Sequence, residues 1–256
     1  MVARRFDVRS IRTGEHAAVL GGVAVLVLVL VLLSATLGRL NFDVVVGAIV
    51  LTALALVSVP VFRWIARVEA DPGLFNLLLA GLVVKIVFTF IRYFFITVVY
   101  GDNGDAGLYS AAGSIFMELY RSGEFVLSIP EIASRGAETE RIAAFVGMIY
   151  VVTGVSRYAA SFIFSWLCFT GQVLMYRAFR RGVPDGDSRR YLTLLLFLPS
   201  LLFWPSSIGK EALMLFAVGL VSLGAAYLLS PPVKAIGVLY FAMAHRCCSS
   251  SVRTWR

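Results

Sequence analysis

Long uncharged apolar blocks alternate along the chain with short charged segments. Three blocks begin at residues 17, 42 and 74, and more apolar sequence follows between residues 142 and 229. A helix needs about 20 apolar residues to cross the ~30 Å hydrocarbon core of a bilayer. The blocks match that length and lack the alternation of barrel strands. The pattern therefore predicts an all-α, polytopic transmembrane helical bundle.

The blocks predict a single transmembrane domain with about six full spans and a broken seventh. The predicted layout is a cytoplasmic tail at 1–16, three spans in 17–100, an extracytoplasmic loop at 101–141, three spans plus a short outer helix in 142–230, and a broken span with a basic tail at 231–256. Individual crossings are expected at 17–37, 42–62, 74–100, within 142–175, at 191–204 and at 211–229.

Basic residues set the predicted orientation. The proposed cytoplasmic segments hold twelve Lys and Arg, including five arginines between residues 177 and 190, whereas the outer segments hold six. By the positive-inside rule the amino terminus is cytoplasmic and the protein is a multi-pass protein of the cell membrane. The net charge of +8 then reflects basic span flanks, so no nucleic-acid partner is expected.

Composition excludes several other classes of protein. With 59% hydrophobic and 15% charged residues, the chain has more apolar surface than a water-soluble core can bury. The three cysteines, Cys168, Cys247 and Cys248, give neither a disulfide framework nor a zinc spacing. No glycine-rich nucleotide fingerprint follows a strand-like segment. We therefore expect no bound cofactor and no metal site, and leave a divalent metal requirement open.

The seventh apolar block changes character after ten residues. It begins at Ala235 and turns into basic, Ser- and Cys-rich sequence at His245. Ten residues cannot span a bilayer. We expect the chain to be the amino-terminal part of a longer protein, cut short or read out of frame near residue 245. Resequencing beyond the stop codon tests this expectation.

The acidic loop carries the strongest local signal, Gly101 to Tyr109, where the third span leaves the membrane. From Asp105 an amphipathic pattern runs to Ser122-Gly123 and predicts an interfacial helix. Its apolar positions are Leu108, Ala112, Ile115, Phe116 and Leu119, and its polar positions are Ser110, Ser114, Glu118 and Arg121.

Two interpretations of the acidic pair Asp102 and Asp105 stay open. In one, Asp105 is the N-cap of that helix and Asp102 is a turn residue. In the other, one of them is a general base that activates a substrate hydroxyl against a lipid-linked donor. A base at the membrane edge reaches a phosphate at headgroup depth.

A second outer segment, residues 199–211, contains a proline-broken turn. Ser206 or Ser207 could cap a helix that begins near Gly209, and its free N–H groups with Lys210 would suit a phosphate. The alternative is a plain capped hairpin anchored in the interface by Trp204.

Two cations, Lys85 and Arg92, lie within the third span on one helix face. Charges at this depth are costly, so we expect both to face protein or a polar cavity. Arg92 is also close enough to the outer edge to reach the interface by snorkelling. Glu211 is one of several candidate partners for Lys85.

These motifs resemble those of GT-C-type membrane glycosyltransferases. Asp105, four residues before Tyr109, resembles the first outer loop of that family, and Phe203 to Ser207 with Lys210-Glu211 looks like an outer turn of its polysaccharide-assembly relatives. The resemblance implies a polyprenyl-phosphate sugar donor, a glycan or lipid acceptor on the extracytoplasmic side, and membrane lipid as a further partner. It also implies that Asp105, or else Asp102, is the catalytic base. The residues expected at the substrate are Tyr109, Lys210, Glu211, Ser207, Arg92 and Lys85.

Two other functions remain as alternatives. A transporter or flippase of lipid-linked saccharides is favoured by Lys85 and Arg92, because intramembrane charges often line translocation paths. Against it, residues 17–100 and 142–229 show no matching pair of broken spans of the kind found in inverted-repeat transporters. The third possibility is a non-catalytic membrane subunit of an envelope-assembly complex.

Overall fold

The computed structural model describes residues 42–71, 73–101, 104–126, 129, 137–230 and 233–248, and within them the chain is helical without strands. This confirms the all-α class. The helices are α1 Phe42–Val68, α2 Leu74–Phe94, α3 Asp105–Arg121, α4 Ala137–Thr153, α5 Arg157–Gly182, α6 Ser188–Phe197, α7 Pro199–Phe203, α8 Lys210–Leu229 and α9 Ile236–Cys248. A π-helical segment, Phe95–Val99, continues α2.

Four of the described helices are long and apolar enough to cross a membrane. They are α1, α2 with its π-helical extension, α5 and α8. This agrees with a multi-pass membrane protein, although the predicted six full spans are not confirmed. The predicted first span, 17–37, lies outside the described residues. In the predicted seventh block, α9 provides a short apolar helix, Ile236–His245.

The helices run between two ends of the bundle, which we name by their residues. The loop end contains Asp43, Val99, Asp105, Arg157 and Lys210, and the arginine end contains Glu69, Leu74, Arg177 and Leu229. Asp43 at the start of α1 bonds to the start of α5, whereas Glu69, just after α1, pairs with arginines near the end of α5. α1, α5 and α8 therefore run from the loop end to the arginine end, and α2 runs in the opposite direction.

The apolar run that begins at residue 142 is divided before Arg157, in agreement with the predicted short helix followed by a span. α4 ends at Thr153, Gly154 takes a φ of 70°, and α5 starts at Arg157. Ser156 caps α5, because its hydroxyl accepts a hydrogen bond from the Ala159 amide at 3.1 Å. One apolar run is thereby divided into a shorter helix and a full-length one.

The predicted crossing at 191–204 is wrong as a single helix. Pro199 cannot continue the helix that precedes it, so the segment forms α6 and α7, which meet at Leu198. Both pieces follow α2, with the Arg189 side chain against Gly73 and the Leu196 side chain against Gly81. The broken pair therefore runs from the arginine end towards the loop end in two pieces.

Each of two prolines leaves a helical carbonyl without its usual backbone donor. In an unbroken helix the amide at position 199 would donate to the Leu195 carbonyl and the amide at position 205 to the Leu201 carbonyl, but proline has no N–H. Gln172 Nε2 donates to the Leu195 carbonyl at 2.7 Å, and Lys85 Nζ donates to the Leu201 carbonyl at 2.8 Å. Both side chains are 1% exposed. Two buried polar side chains thus replace the missing donors.

Facing glycines allow the long helices to approach closely. A Cβ on Gly219 of α8 would lie 2.4 Å from the Gly171 carbonyl oxygen of α5, and one on Gly171 would lie 2.4 Å from the Leu215 oxygen. Gly224 of α8 and Gly237 of α9 meet in the same way. Small residues at helix crossings are a common basis of packing inside membranes.

Helix α3 has the predicted limits but a different buried face. Ala106, Tyr109, Gly113, Phe116, Met117 and Tyr120 are buried together with Ser110, which was assigned to the polar side. Gly113 of α3 and Gly147 of α4 let the two helices pack closely. Leu108 and Ile115 stay 43% and 48% exposed. Packing against α4 decides which face of α3 is buried, and the sequence pattern does not show where α4 lies. The predicted interfacial position of α3 is not confirmed.

We predict that Lys85 and Pro205 are energetically coupled. Lys85→Met leaves the Leu201 carbonyl buried and unpaired, at a cost of about 1–3 kcal/mol. Trp204 is in the αR conformation, so an amide at position 205 would point towards that carbonyl. The loss should therefore be smaller in a Pro205→Ala background. Reversible unfolding in mixed micelles measures the four free energies of the cycle.

Gln172→Leu is the companion variant. It should lower the free energy of unfolding by a similar amount in the wild-type and Pro205→Ala backgrounds, because Gln172 serves the carbonyl freed by Pro199. Equal losses for Lys85→Met with and without Pro205 would contradict the assignment of Lys85.

Candidate functional site

The guanidinium of Arg92 lies among three aromatic rings at the loop end. Its carbon is 4.8 Å from the ring centroids of both Phe203 and Trp204 and 5.9 Å from that of Tyr100. We call these rings the aromatic cluster. Arginine binds aromatic faces by cation–π attraction within about 6 Å. The cluster thereby joins the end of the third predicted span, just before the acidic loop, to the turn at 203–210.

Two nitrogens of this guanidinium are buried without a partner. Nε and Nη1 of Arg92 have no hydrogen-bond acceptor among the residues that the structure describes. A buried cationic N–H group left unpaired costs free energy of the order of 1–3 kcal/mol or more. The aromatic faces attract the charge but do not accept these hydrogen bonds in the plane of the guanidinium. The planar donors of the guanidinium match the oxygens of a phosphate, but Nε and Nη1 have almost no accessible surface, so a phosphate would reach them only after a covering side chain moved aside.

Gly104 is the N-cap of α3 and no side chain caps the helix, so the interpretation of Asp105 as the N-cap is wrong. Asp105 is exposed at the first position of α3, and within the described residues its carboxylate has no bonded partner. Its neighbours Ala106 and Tyr109 are buried in one hydrophobic cluster with Ile208 and Ala212, which flank the start of α8. The starts of α3 and α8 therefore pack around a shared core at the loop end. Asp102, the other candidate base, lies outside the described residues.

The start of α8 differs from the predicted serine-capped helix. Gly209 is the N-cap and no side chain caps the helix. The Ser206 hydroxyl donates to the Leu202 carbonyl, and Ser207 is buried. Both serines precede the cap position, so they are too early to bond the first helical amides. The prediction that either serine caps α8 is therefore wrong.

Lys210 and Glu211 are both exposed at this helix start. A Cβ on Gly209 would lie 2.7 Å from Glu211 Oε2, which shows that the glutamate folds back over the amino terminus of α8. A carboxylate there is favoured by the helix dipole. The predicted phosphate cradle at this helix thus already has an anion of the protein beside it, and Arg92 is the better candidate to bind phosphate.

Lys85 lies apart from these residues, inside the bundle. Its ammonium bonds to Leu201 and lies beside the Cys168 thiol, whereas Glu211 is exposed to solvent and is not its partner. Thr89, one turn further along α2, donates to the Ser165 hydroxyl at 2.8 Å. The structure therefore brings Arg92 next to the loop-end turn and gives Lys85 a role in the packing of α7.

Asp43 is a loop-end carboxylate that the sequence interpretation missed. Its oxygens accept hydrogen bonds from the Ser156 hydroxyl at 2.7 Å, the Tyr158 amide at 3.0 Å and the Tyr93 hydroxyl at 3.2 Å. The Arg157 guanidinium stacks 5.8 Å from the Tyr93 ring. With three donors on its carboxylate, Asp43 is a structural anchor. The sequence feature that could have identified Asp43 is its position as an acidic residue in the first turn of α1.

A hydrogen bond between Ser110 of α3 and Tyr150 of α4 fixes the position of the helix that carries Asp105. The two hydroxyl oxygens are 2.7 Å apart and buried. Burial, with a smaller effect of the Asp43 carboxylate, raises the pKa of Tyr150 to about 12. The tyrosine therefore stays neutral at physiological pH, and this link between the helices is preserved.

Among the described residues no group of three or more His, Cys, Asp or Glu side chains is placed to hold a metal ion. Asp102 lies outside those residues.

We predict that Asp43→Ala destabilises the loop end, because three donors lose a charged acceptor. Hydrogen bonds to charged groups contribute about 1.5–3 kcal/mol, so the thermal midpoint in detergent should fall by several degrees. Asp105→Ala is the matched control: its exposed carboxylate should cost less than about 1 kcal/mol. An Asp43→Ala variant as stable as Asp105→Ala would contradict the anchoring role.

Comparison of the chain with protein families, with curated proteins and with solved structures finds no match.

Proposed function

We propose that this chain is an integral membrane glycosyltransferase. It takes a sugar from a polyprenyl-phosphate donor and transfers it to a glycan or lipid acceptor of the cell envelope, on the extracytoplasmic side. The observation that carries the proposal is the Arg92 guanidinium, whose buried nitrogens Nε and Nη1 lack protein acceptors among the described residues. The resemblance of the acidic loop and the turn at 203–210 to GT-C enzymes gives the reaction class.

The Arg92 guanidinium suits the phosphate of the donor. Its planar donors match phosphate oxygens, and its burial against the Phe203 and Trp204 rings strengthens that interaction relative to water. Trp204 is 54% exposed, which leaves an aromatic surface for a sugar ring or a prenyl chain. In the transfer the bond between the anomeric carbon and the phosphate oxygen breaks, and polyprenyl phosphate departs with the extra negative charge. Arg92 would stabilise that charge.

Asp105 is the preferred general base, with Asp102 as the alternative. The acceptor hydroxyl attacks the anomeric carbon and loses its proton, which the Asp105 carboxylate accepts. The carboxylate is exposed and unbonded within the described residues, so it is accessible to an acceptor from solution. The Asp43 carboxylate, occupied by three donors, is not a competing candidate.

The transporter alternative keeps only Arg92 of the two intramembrane charges that favoured it. It drew on two charges within one span, but the Lys85 ammonium bonds to the Leu201 carbonyl that Pro205 leaves without a donor. A side chain with that role need not line a path. A non-catalytic subunit remains the alternative that turnover measurements distinguish.

The test is sugar transfer in membranes that contain the chain and a radiolabelled polyprenyl-phosphate sugar. Asp105→Asn should lower the transfer rate by about 100-fold or more, as expected for loss of a general base. Arg92→Gln should also lower it, while Arg92→Lys retains part of the activity because the charge remains but the planar donors do not.

Glu118→Gln is the matched control, because Glu118 is an exposed carboxylate on the same helix as Asp105. Its transfer rate and protein level should equal those of the wild type. Full activity in both the Asp102→Asn and Asp105→Asn variants would remove the proposed mechanism. A wild-type chain that transfers no sugar, but still assembles with partner proteins, would favour the non-catalytic subunit.

A further inference from the structure

A cleft of about 430 Å³ opens at the arginine end, between α1, α5 and α8. The lining residues are Val68, Glu69, Arg177, Arg180, Arg181, Leu223, Tyr227 and Lys234. Four of these side chains are cations and one is an anion. The cleft therefore has an excess of three positive charges, on the opposite end of the bundle from Arg92.

The protein itself accounts for part of that charge. Glu69 pairs with Arg177 at 3.3 Å and with Arg180 at 3.2 Å. Arg181 donates to the Ala226 and Ser230 carbonyls, both at 3.1 Å, which satisfies acceptors at the carboxyl end of α8. The nearby Asp71 belongs to an adjacent cleft, and its carboxylate accepts from the Gly73 amide.

Lys234 is the one cation of the cleft that takes part in none of these contacts. Its side chain is exposed, and among the described residues its ammonium has no acceptor; it lies 6.0 Å from the centroid of the Tyr227 ring. The Arg181 guanidinium lies 4.6 Å from the same ring. The backbone amide of Lys234 bonds to the Tyr227 carbonyl at 3.0 Å, which fixes this residue at the cleft. Tyr227 thus holds two cations close together at the cleft wall.

We propose that this cleft binds the headgroup of an anionic membrane phospholipid. The phosphate would lie between Lys234 and the arginines, with Val68 and Leu223 as the apolar wall towards the acyl chains. The location favours a lipid over a free anion, because three helices long and apolar enough to span a membrane end here, at Val68, Gly182 and Leu229. Their ends mark the depth of headgroups, where basic pockets between helices bind acidic lipids.

The test is lipid binding to the delipidated chain in detergent, measured by native mass spectrometry. Dioleoyl phosphatidylglycerol should bind at least tenfold more tightly than dioleoyl phosphatidylcholine. Lys234→Gln should weaken phosphatidylglycerol binding by about fivefold, the effect of one basic residue near an anionic lipid. Lys234→Arg should restore it. Lys234 makes no side-chain bond within the described structure, so these variants should fold normally.

Two further variants sharpen the result. Arg190→Gln removes the same charge from the arginine end but outside the cleft, so binding should be unchanged. Glu69→Gln removes the internal counter-ion of Arg177 and Arg180, so it should tighten binding and increase its sensitivity to salt.

Three results would overturn the proposal. Equal affinity for the two lipids would show no recognition of the headgroup charge. Equal effects of Lys234→Gln and Arg190→Gln would show general attraction to a basic surface. Displacement of phosphatidylglycerol by inorganic phosphate at millimolar concentration would assign the cleft to a soluble anion.

Discussion

The bundle depends on how it satisfies backbone carbonyls that its prolines leave without donors. Inside a bilayer no water can replace the missing N–H groups of Pro199 and Pro205. Gln172 and Lys85 supply the two donors, so the chain can run along α2 as two short helices. α7 also places its last residue, Phe203, and the following Trp204 against Arg92.

The same constraint explains why two cations seven residues apart on one helix have different roles. Lys85 is deep and bonds to the Leu201 carbonyl, so it stabilises the broken pair of α6 and α7. Arg92 lies two turns closer to the loop end, where the neighbouring segment presents aromatic faces that leave Nε and Nη1 of its guanidinium unpaired within the described structure. The broken helix and the aromatic surroundings of Arg92 are thus two consequences of one segment, which contains Pro199 and Pro205.

Local features of the sequence were sufficient for the ends of α3, the break before Arg157 and the approximate limits of α1, α2 and α8, because turn residues and apolar length act over a few residues. The buried face of α3 could not be predicted from the sequence, because packing against α4 selects that face and buries Ser110. The aromatic cluster joins residues more than 100 positions apart, and the Asp43 network does the same. The break at Pro199 was readable in principle, but the apolar length of 191–204 favoured one span.

The central claim is that a lipid phosphate binds beside Arg92, and cross-linking tests it most directly. Benzoylphenylalanine at position 204, in membranes supplied with a radiolabelled polyprenyl-phosphate sugar, should capture the donor on irradiation. The account predicts that Arg92→Gln lowers this yield severalfold while leaving unchanged the yield at position 194, an exposed site on α6. The same yield at position 204 with and without the Arg92 guanidinium would contradict it.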